Sequence, residues 1–196
     1  QFYNQDAARG ASKKSNPEAW KLEHRDRFTR MCIDQSAQTL LDIGASPGRD
    51  SEHFESYGLR SYPFDLSPGM IAKCRESKLS ASRMDAHSLG FGDQTFDAIW
   101  SLNSLLHIPR AHIDSVGQEI YRVMKPNALF FMGVYGGPDG EGPWDGDWHE
   151  PKRFFSFYTD EDIQTRVAKH FTLLRFDRSD TEDPTLHFQG LILRRV

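Results

Sequence analysis

Cysteine is scarce in this chain. Cys32 and Cys74 are the only two among 196 residues, too few for a disulfide framework and suited to a reducing, cytoplasmic compartment where they fill apolar gaps. Long apolar runs are missing too. None approaches the roughly 20 residues that a membrane-spanning helix needs. The first residues, which begin at Gln1 rather than Met, carry no apolar stretch of the signal-peptide kind. Positive charge is not in excess, with 24 Lys and Arg against 28 Asp and Glu for a formal net charge of −4. The basic pairs Lys13-Lys14 and Arg194-Arg195 stand near the ends. Nothing in that balance favours a nucleic-acid partner. No G-x-S-x-G elbow presents a nucleophile, and neither a repeat nor an interdomain linker interrupts the chain. The expectation is one domain over residues 1–196.

What is there centres on Asp42-Ile43-Gly44-Ala45-Ser46-Pro47-Gly48-Arg49-Asp50, which follows the apolar pair Leu40-Leu41. A strand that ends in an acid, turns through small residues and opens a helix lets the backbone approach a ligand. A dinucleotide fingerprint reads G-x-G-x-x-G, and in that frame the chain fails at Ser46 and Arg49. The frame acid-x-Gly-x-small-x-Gly fits instead, through Asp42, Gly44, Ser46 and Gly48. It resembles the first motif of the class I S-adenosylmethionine-dependent methyltransferases. Ser46 departs from the glycine usual there.

The order of elements points the same way. Patterning predicts an amphipathic helix over 17–35, opened by Asn16-Pro17. Strands follow at 39–43, 59–64, near 84, 96–102 and 128–135, with helices over 49–57, 67–77 and 112–124. Gly58 ends the first of these helices, Ser67 and Pro68 open the second, and Lys125-Pro126 stops the third. Alternation of this kind implies a parallel sheet covered on both faces. A Gly-, Pro- and acid-rich loop is expected over 136–151. A helix capped by Thr159 comes next, then strands at 171–177 and 186–193 that, lacking a crossover, must be antiparallel. The expected fold is a Rossmann-like three-layer α/β/α sandwich whose seven-stranded, mostly parallel sheet has an antiparallel last strand. The resemblance covers about residues 20–196.

The resemblance implies S-adenosylmethionine as cofactor and implies where its parts lie. The turn Gly44, Ala45, Ser46 and Gly48 would face the amino-acid tail, with Asp42 orienting the turn and meeting the ammonium. Ser101, Leu102 and Asn103 would add backbone carbonyls, and Arg25 is a candidate for the carboxylate, though a solvated helix charge is the simpler reading. Phe64-Asp65-Leu66-Ser67-Pro68-Gly69-Met70 is similar to the second cofactor motif, with Asp65 on the ribose hydroxyls and Leu66 and Met70 beside adenine. Asp65 could instead cap the following helix with Ser67. Met84-Asp85-Ala86 resembles the third motif, with the Asp85 carboxylate to the adenine amino group and the Ala86 N–H to the ring. Asp85 also suits a turn.

Methyl transfer from a sulfonium is an in-line displacement on an activated carbon. Alignment and exclusion of water do most of the work, and no catalytic triad is required. In similar family members a histidine lies beside the reaction in the segment that here reads Leu105-Leu106-His107-Ile108-Pro109. His107 is thus a candidate base, substrate ligand or packing residue, whereas His112 reads as a surface residue. The 136–151 loop follows the strand ending at Tyr135 and holds Trp144, Trp148 and His149 among Asp139, Glu141, Asp145, Asp147 and Glu150. It is either a lid over the acceptor, which Tyr135, Trp144, Trp148 and His149 would meet, or a solvated loop. As a lid, its aromatics and carboxylates would favour an amine, another cation or a flat neutral ring. No metal site is expected; the acids around His149 read as solvated. The aromatic run 154–158 reads as core packing, with Arg153 or Tyr158 open as pocket residues. The expected function is transfer of a methyl group to a small-molecule acceptor. The alternatives are a transfer-RNA methyltransferase, a nicotinamide-dependent oxidoreductase, or a module that binds S-adenosylmethionine without catalysis.

Overall fold

A computed structural model describes residues 19–147 and 149–196. Pro17 and Asn16, expected to open the first helix, and Trp148 of the expected lid lie outside the described residues.

The two continuous apolar runs form neighbouring strands at the centre of a sheet, β4 (Phe96–Leu102) and β5 (Met124–Gly136), buried on both faces as such runs require. Outward from β4 come β1 (Thr39–Ile43), β2 (Arg60–Asp65) and the short β3 (Ser82–Arg83), all in parallel register. β8 (Thr172–Asp180) and β9 (His187–Arg194) complete the sheet in the order β3-β2-β1-β4-β5-β9-β8. β9 runs antiparallel to both β5 and β8. The expected reversed last strand is present, inserted inside the sheet rather than added at its edge.

Side chains alternate between the sheet's two faces with the period of two that strands impose. Leu40, Ala98, Trp100, Phe131 and Phe188 face α1 (Ala19–Asp34) and α2 (Arg49–Ser56), which contribute Phe28, Cys32 and Phe54. Trp100 stacks on Phe131 with centroids 4.2 Å apart, and its indole N–H donates to Asp50 at 3.0 Å. Leu41, Ile99, Phe130 and Met132 face α4 (Ile113–Val123) and α5 (Asp160–Val167) through Val116, Ile120 and Ile163. α3 (Pro68–Glu76) has Ser67 at its N-cap and Pro68 in its first turn. Thr159 caps α5 by accepting from the Asp162 N–H at 3.1 Å. Among the described residues no helix is long and apolar enough to cross a membrane.

Two expectations are corrected. β5 begins at Met124, not 128, because Met124 pairs with Phe96 before a register shift. Pro126 is accommodated in that irregular stretch, where a missing N–H costs no ladder bond. The 136–151 segment is not wholly loop either. Its Gly140–Pro143 stretch forms β6, antiparallel to β7 (Phe154–Phe157) in a hairpin separate from the main sheet. Glycine and proline conceal that strand from propensity, and the partner that stabilises it is the aromatic run beyond.

Candidate cofactor cleft

The carboxyl ends of β1, β2 and β4 surround a cleft of about 200 Å³, where ligands sit in open α/β sheets. Its floor is the turn after β1. Gly44 and Ala45 both donate their N–H to the Phe64 carbonyl, at 2.9 and 3.0 Å, drawing the turn against β2. Gly44 has φ +69°, and a Cβ there would lie 2.1 Å from the Ser104 hydroxyl oxygen. Ser46 shares the left-handed conformation, with φ 51°. That explains the usual glycine at this position; serine holds it at a strain of about 1–2 kcal/mol. Gly48, at the N-cap of α2, packs against Leu79 and Cys74 below the turn rather than lining the cleft.

Asp65 ties this floor to the next element. One carboxylate oxygen accepts the Ser46 N–H at 3.1 Å and the other the Ser67 N–H at 2.8 Å. It therefore serves the start of α3 and lines the cleft as well. Burial pushes its carboxyl up, opposed by the N–H groups of Ser67 and Ser46. Leu66 beside it lines the cleft with 61% of its surface exposed. Asp85 and Ala86 form the far wall. The Asp85 carboxylate accepts the His87 N–H at 2.9 Å and meets His87 Nδ1 at 2.7 Å, bonds that hold it below its ordinary pKa. On the β4 side stand Asn103 and Ser104. Asn103 has φ 54°, and its side-chain Oδ1 is buried without a hydrogen-bond partner.

His107 closes this side from a single 3-10 turn, Leu105–His107. Its Nδ1 lies 2.7 Å from the Phe154 carbonyl. A carbonyl only accepts, so Nδ1 carries the proton and Nε2 is the basic nitrogen. Burial pushes the imidazole down to about 4, against the raising effect of the Phe154 bond. The ring is neutral near pH 7.

Other expected site residues lie elsewhere. Asp42 is buried beneath the turn, where it accepts from the Ser51 hydroxyl at 2.7 Å. Ser51 in turn accepts from Ser61 at 2.9 Å. Burial and the charge of Asp50 push Asp42 up to about 8, against the Ser51 bond. It anchors α2 and does not line the cleft. Ala45 and Met70 are also absent from the lining, the first packed toward Ile71 and Cys74, the second buried in the first turn of α3. Leu102 turns to the α1 face, and Ser101 is fully buried. Arg25 pairs with Asp50 at 3.1 Å.

The residues expected to meet the acceptor are not gathered at the cleft. The Tyr135 hydroxyl accepts from Lys21 of α1 at 3.1 Å. Trp144 packs edge-on against Phe155 and Phe157. His149 is buried, with Nδ1 2.9 Å from Asp147. The hairpin acids have partners of their own. Asp139 pairs with the Arg110 guanidinium, Glu141 accepts the Arg110 N–H at 2.8 Å, and Asp147 pairs with Arg153. No group of three or more His, Cys, Asp or Glu among the described residues is arranged for a metal ion. Ser104 and Ile108 line the cleft unforeseen. The signal was their adjacency to Asn103 and His107, each of which already marked this rim.

Residues 41–132 match a family model described as methyltransferase domain. Over that stretch the chain is similar to the class I S-adenosylmethionine-dependent methyltransferases. Demethylmenaquinone methyltransferase of Thermobifida fusca is 35% identical to this chain over 113 residues, 52% of this chain and 47% of that protein. Phosphoethanolamine N-methyltransferase 2 of Caenorhabditis elegans is 30% identical over 112 residues, 53% of this chain and 25% of that one. The chain thus spans less than half of the length of these curated relatives. Its fold also matches the N-methyltransferase NodS from Bradyrhizobium japonicum in complex with S-adenosyl-L-homocysteine, with TM-score 0.73 and 13% identity over 100% of this chain and 99% of that one.

Proposed function

We propose that the cleft holds S-adenosylmethionine and that the protein transfers its methyl group to a small, uncharged acceptor at the His107 side. The observation that carries this reading is the bridge from Asp65 to both the Ser46 and the Ser67 N–H groups. It places one carboxylate between the small-residue turn and the next helix, with further lone pairs for a diol. The cleft fits the group in two other respects. Leu66 leaves an apolar surface uncovered for a flat ring, and Asn103 holds a buried acceptor with no partner, suited to an ammonium.

In this reading Asp65 accepts from the ribose hydroxyls, Asp85 from the adenine amino group, and the Ala86 N–H donates to the ring. Asn103 Oδ1 and the turn at Gly44 and Ser46 take the amino-acid tail. Bound there, S-adenosylmethionine supplies an activated methyl on a sulfonium. A base with a pKa of about 4 draws a proton weakly at neutral pH. His107 therefore orients the acceptor by accepting a hydrogen bond, and alignment with exclusion of water drives the transfer. Asp139 and Asp147, which would have drawn a cation, are paired with Arg110 and Arg153, and this favours a neutral acceptor. That class includes quinones, to which the name of the Thermobifida relative refers. One methyltransferase domain in a reducing, cytoplasmic compartment suits the continuous sheet and the two buried free thiols.

Calorimetric titration with S-adenosylmethionine, S-adenosylhomocysteine, NAD and NADP tests the reading. The sulfonium compound and its product should bind, and Asp65→Ala should weaken both roughly 10- to 100-fold by removing charge-assisted hydrogen bonds. Binding of a nicotinamide instead would overturn the cofactor, and unchanged affinity in the variant would remove Asp65 from the site.

A further inference from the structure

The hairpin contains a buried charge that the cleft does not use. The Asp147 side chain is fully buried, and Arg153 grips it as a fork, with Nε 2.9 Å from one oxygen and Nη2 2.8 Å from the other. The Arg153 backbone N–H donates to the same carboxylate at 2.9 Å, and His149 Nδ1 lies 2.9 Å from it. Burial works against this charge, but the Arg153 bonds outweigh it and hold the carboxyl well below the ordinary range. A buried ion pair is a poor investment in stability alone, so its position is what calls for explanation.

That position is one residue from the group that sets the His107 ring. Arg153 precedes Phe154, whose carbonyl accepts the His107 Nδ1–H, and the Arg153 guanidinium lies over the Phe155 ring at 5.3 Å. Phe155 in turn meets the imidazole edge-on at 4.7 Å. Two contacts that orient His107 thus come from the two residues after Arg153. The geometry points to Asp147 and Arg153 as positioning residues that clamp β7 so that the Phe154 carbonyl and Phe155 ring hold His107 in one tautomer and one orientation at the cleft. The role rests on the reading of His107 as the imidazole that meets the acceptor.

The charged groups facing His107 give the clamp a signature of its own. They are Arg153, Asp147 and His149 on the hairpin, with Asp65 and Asp85 across the cleft. As a mere neighbouring charge, Asp147 raises the proton affinity of His107, so Asp147→Asn would lower it. If Asp147 acts as a clamp, the same change releases β7, admits water to the imidazole and raises it. Arg153→Lys keeps the charge and loses the fork, so electrostatics alone would leave His107 unmoved.

Ring nitrogen NMR on the whole chain, with His107→Gln to assign the signal, reads both titrations without an acceptor. In the wild type the proton should sit on Nδ1. In both variants the His107 midpoint should rise by about one pH unit, a tenfold gain in proton affinity, while S-adenosylhomocysteine binds as in the wild type. A midpoint that stays or falls in either folded variant would overturn the proposal, and Arg153→Lys alone decides if Asp147→Asn does not fold. Loss of S-adenosylhomocysteine binding by the wild type would instead strike the cofactor reading, leaving the ring signal to judge the clamp.

Discussion

The two sides of the cleft are made of different materials. At the β1–β2 side the donors are main-chain and the contacts join consecutive strands: Gly44, Ala45 and Ser46 use their N–H groups, and the acceptors are the Phe64 carbonyl and the Asp65 carboxylate at the end of the next strand. At the β4–β5 side the contacts are long-range. His107 is held by a carbonyl 47 residues further along, itself part of a hairpin locked by Asp147 and Arg153. A surface built from backbone turns suits a ligand whose polar groups never change. Side chains on a hairpin can vary without disturbing those turns, which suits the part of a site that meets the acceptor.

Gly44→Ala is the strongest way to break the contrast. A methyl there overlaps Ser104 and adopts a left-handed backbone, so denaturant unfolding should show a loss of about 4 kcal/mol from overpacking and strain together. Ser104→Gly in the same chain should recover about half of it, the overpacking share. Stability unchanged in the single variant would mean that the turn is not tight. Trp144→Ala attacks the other side. Losing its packing on Phe155 and Phe157 should cost about 3 kcal/mol yet leave S-adenosylhomocysteine affinity intact. A parallel fall in affinity would show that the hairpin also serves the cofactor side. The smallest effect sharpens the picture: Ser46→Gly relieves the left-handed serine and should stabilise by about 1 kcal/mol, raising Tm by about 2–4 °C. An unmoved or lowered Tm would show that Ser46 bears no net strain.

The same division explains what could be read in the amino-acid sequence. The turn 44–48, the Asp65 motif, the cap at Ser67 and the strand 96–102 carry their own residue pattern, and local sequence exposes them even though the turn closes on Phe64 and Asp65 of the next strand. Asp42 was visible as a motif acid, but its burial beneath the turn depends on Ser51 and Ser61 meeting in space. The acids of 136–151 looked like a solvated or cation-binding set because their partners Arg110 and Arg153 lie outside that segment. Trp144 looked like a lid because nothing in its surroundings announces β6, whose pairing with the aromatic strand turns the ring inward. The resemblance singled out His107, and the ring does line the cleft. Its proton position depends on Phe154, which no local pattern joins to it.

Of the seven strands in the sheet, β9 leaves the ribosome last, yet it lies between β5 and β8. Until it arrives, β5 carries an open edge and β8 has no strand to pair with, for each reaches the other only through β9. Most of the cofactor side is complete by Leu102, long before that, so a nascent chain would hold a formed turn beside an unfinished sheet. Open edges of that kind invite pairing with other chains. For this protein the vulnerable interval in synthesis is the one between Gly136 and Arg194, and it ends only when the reversed strand slides into its slot.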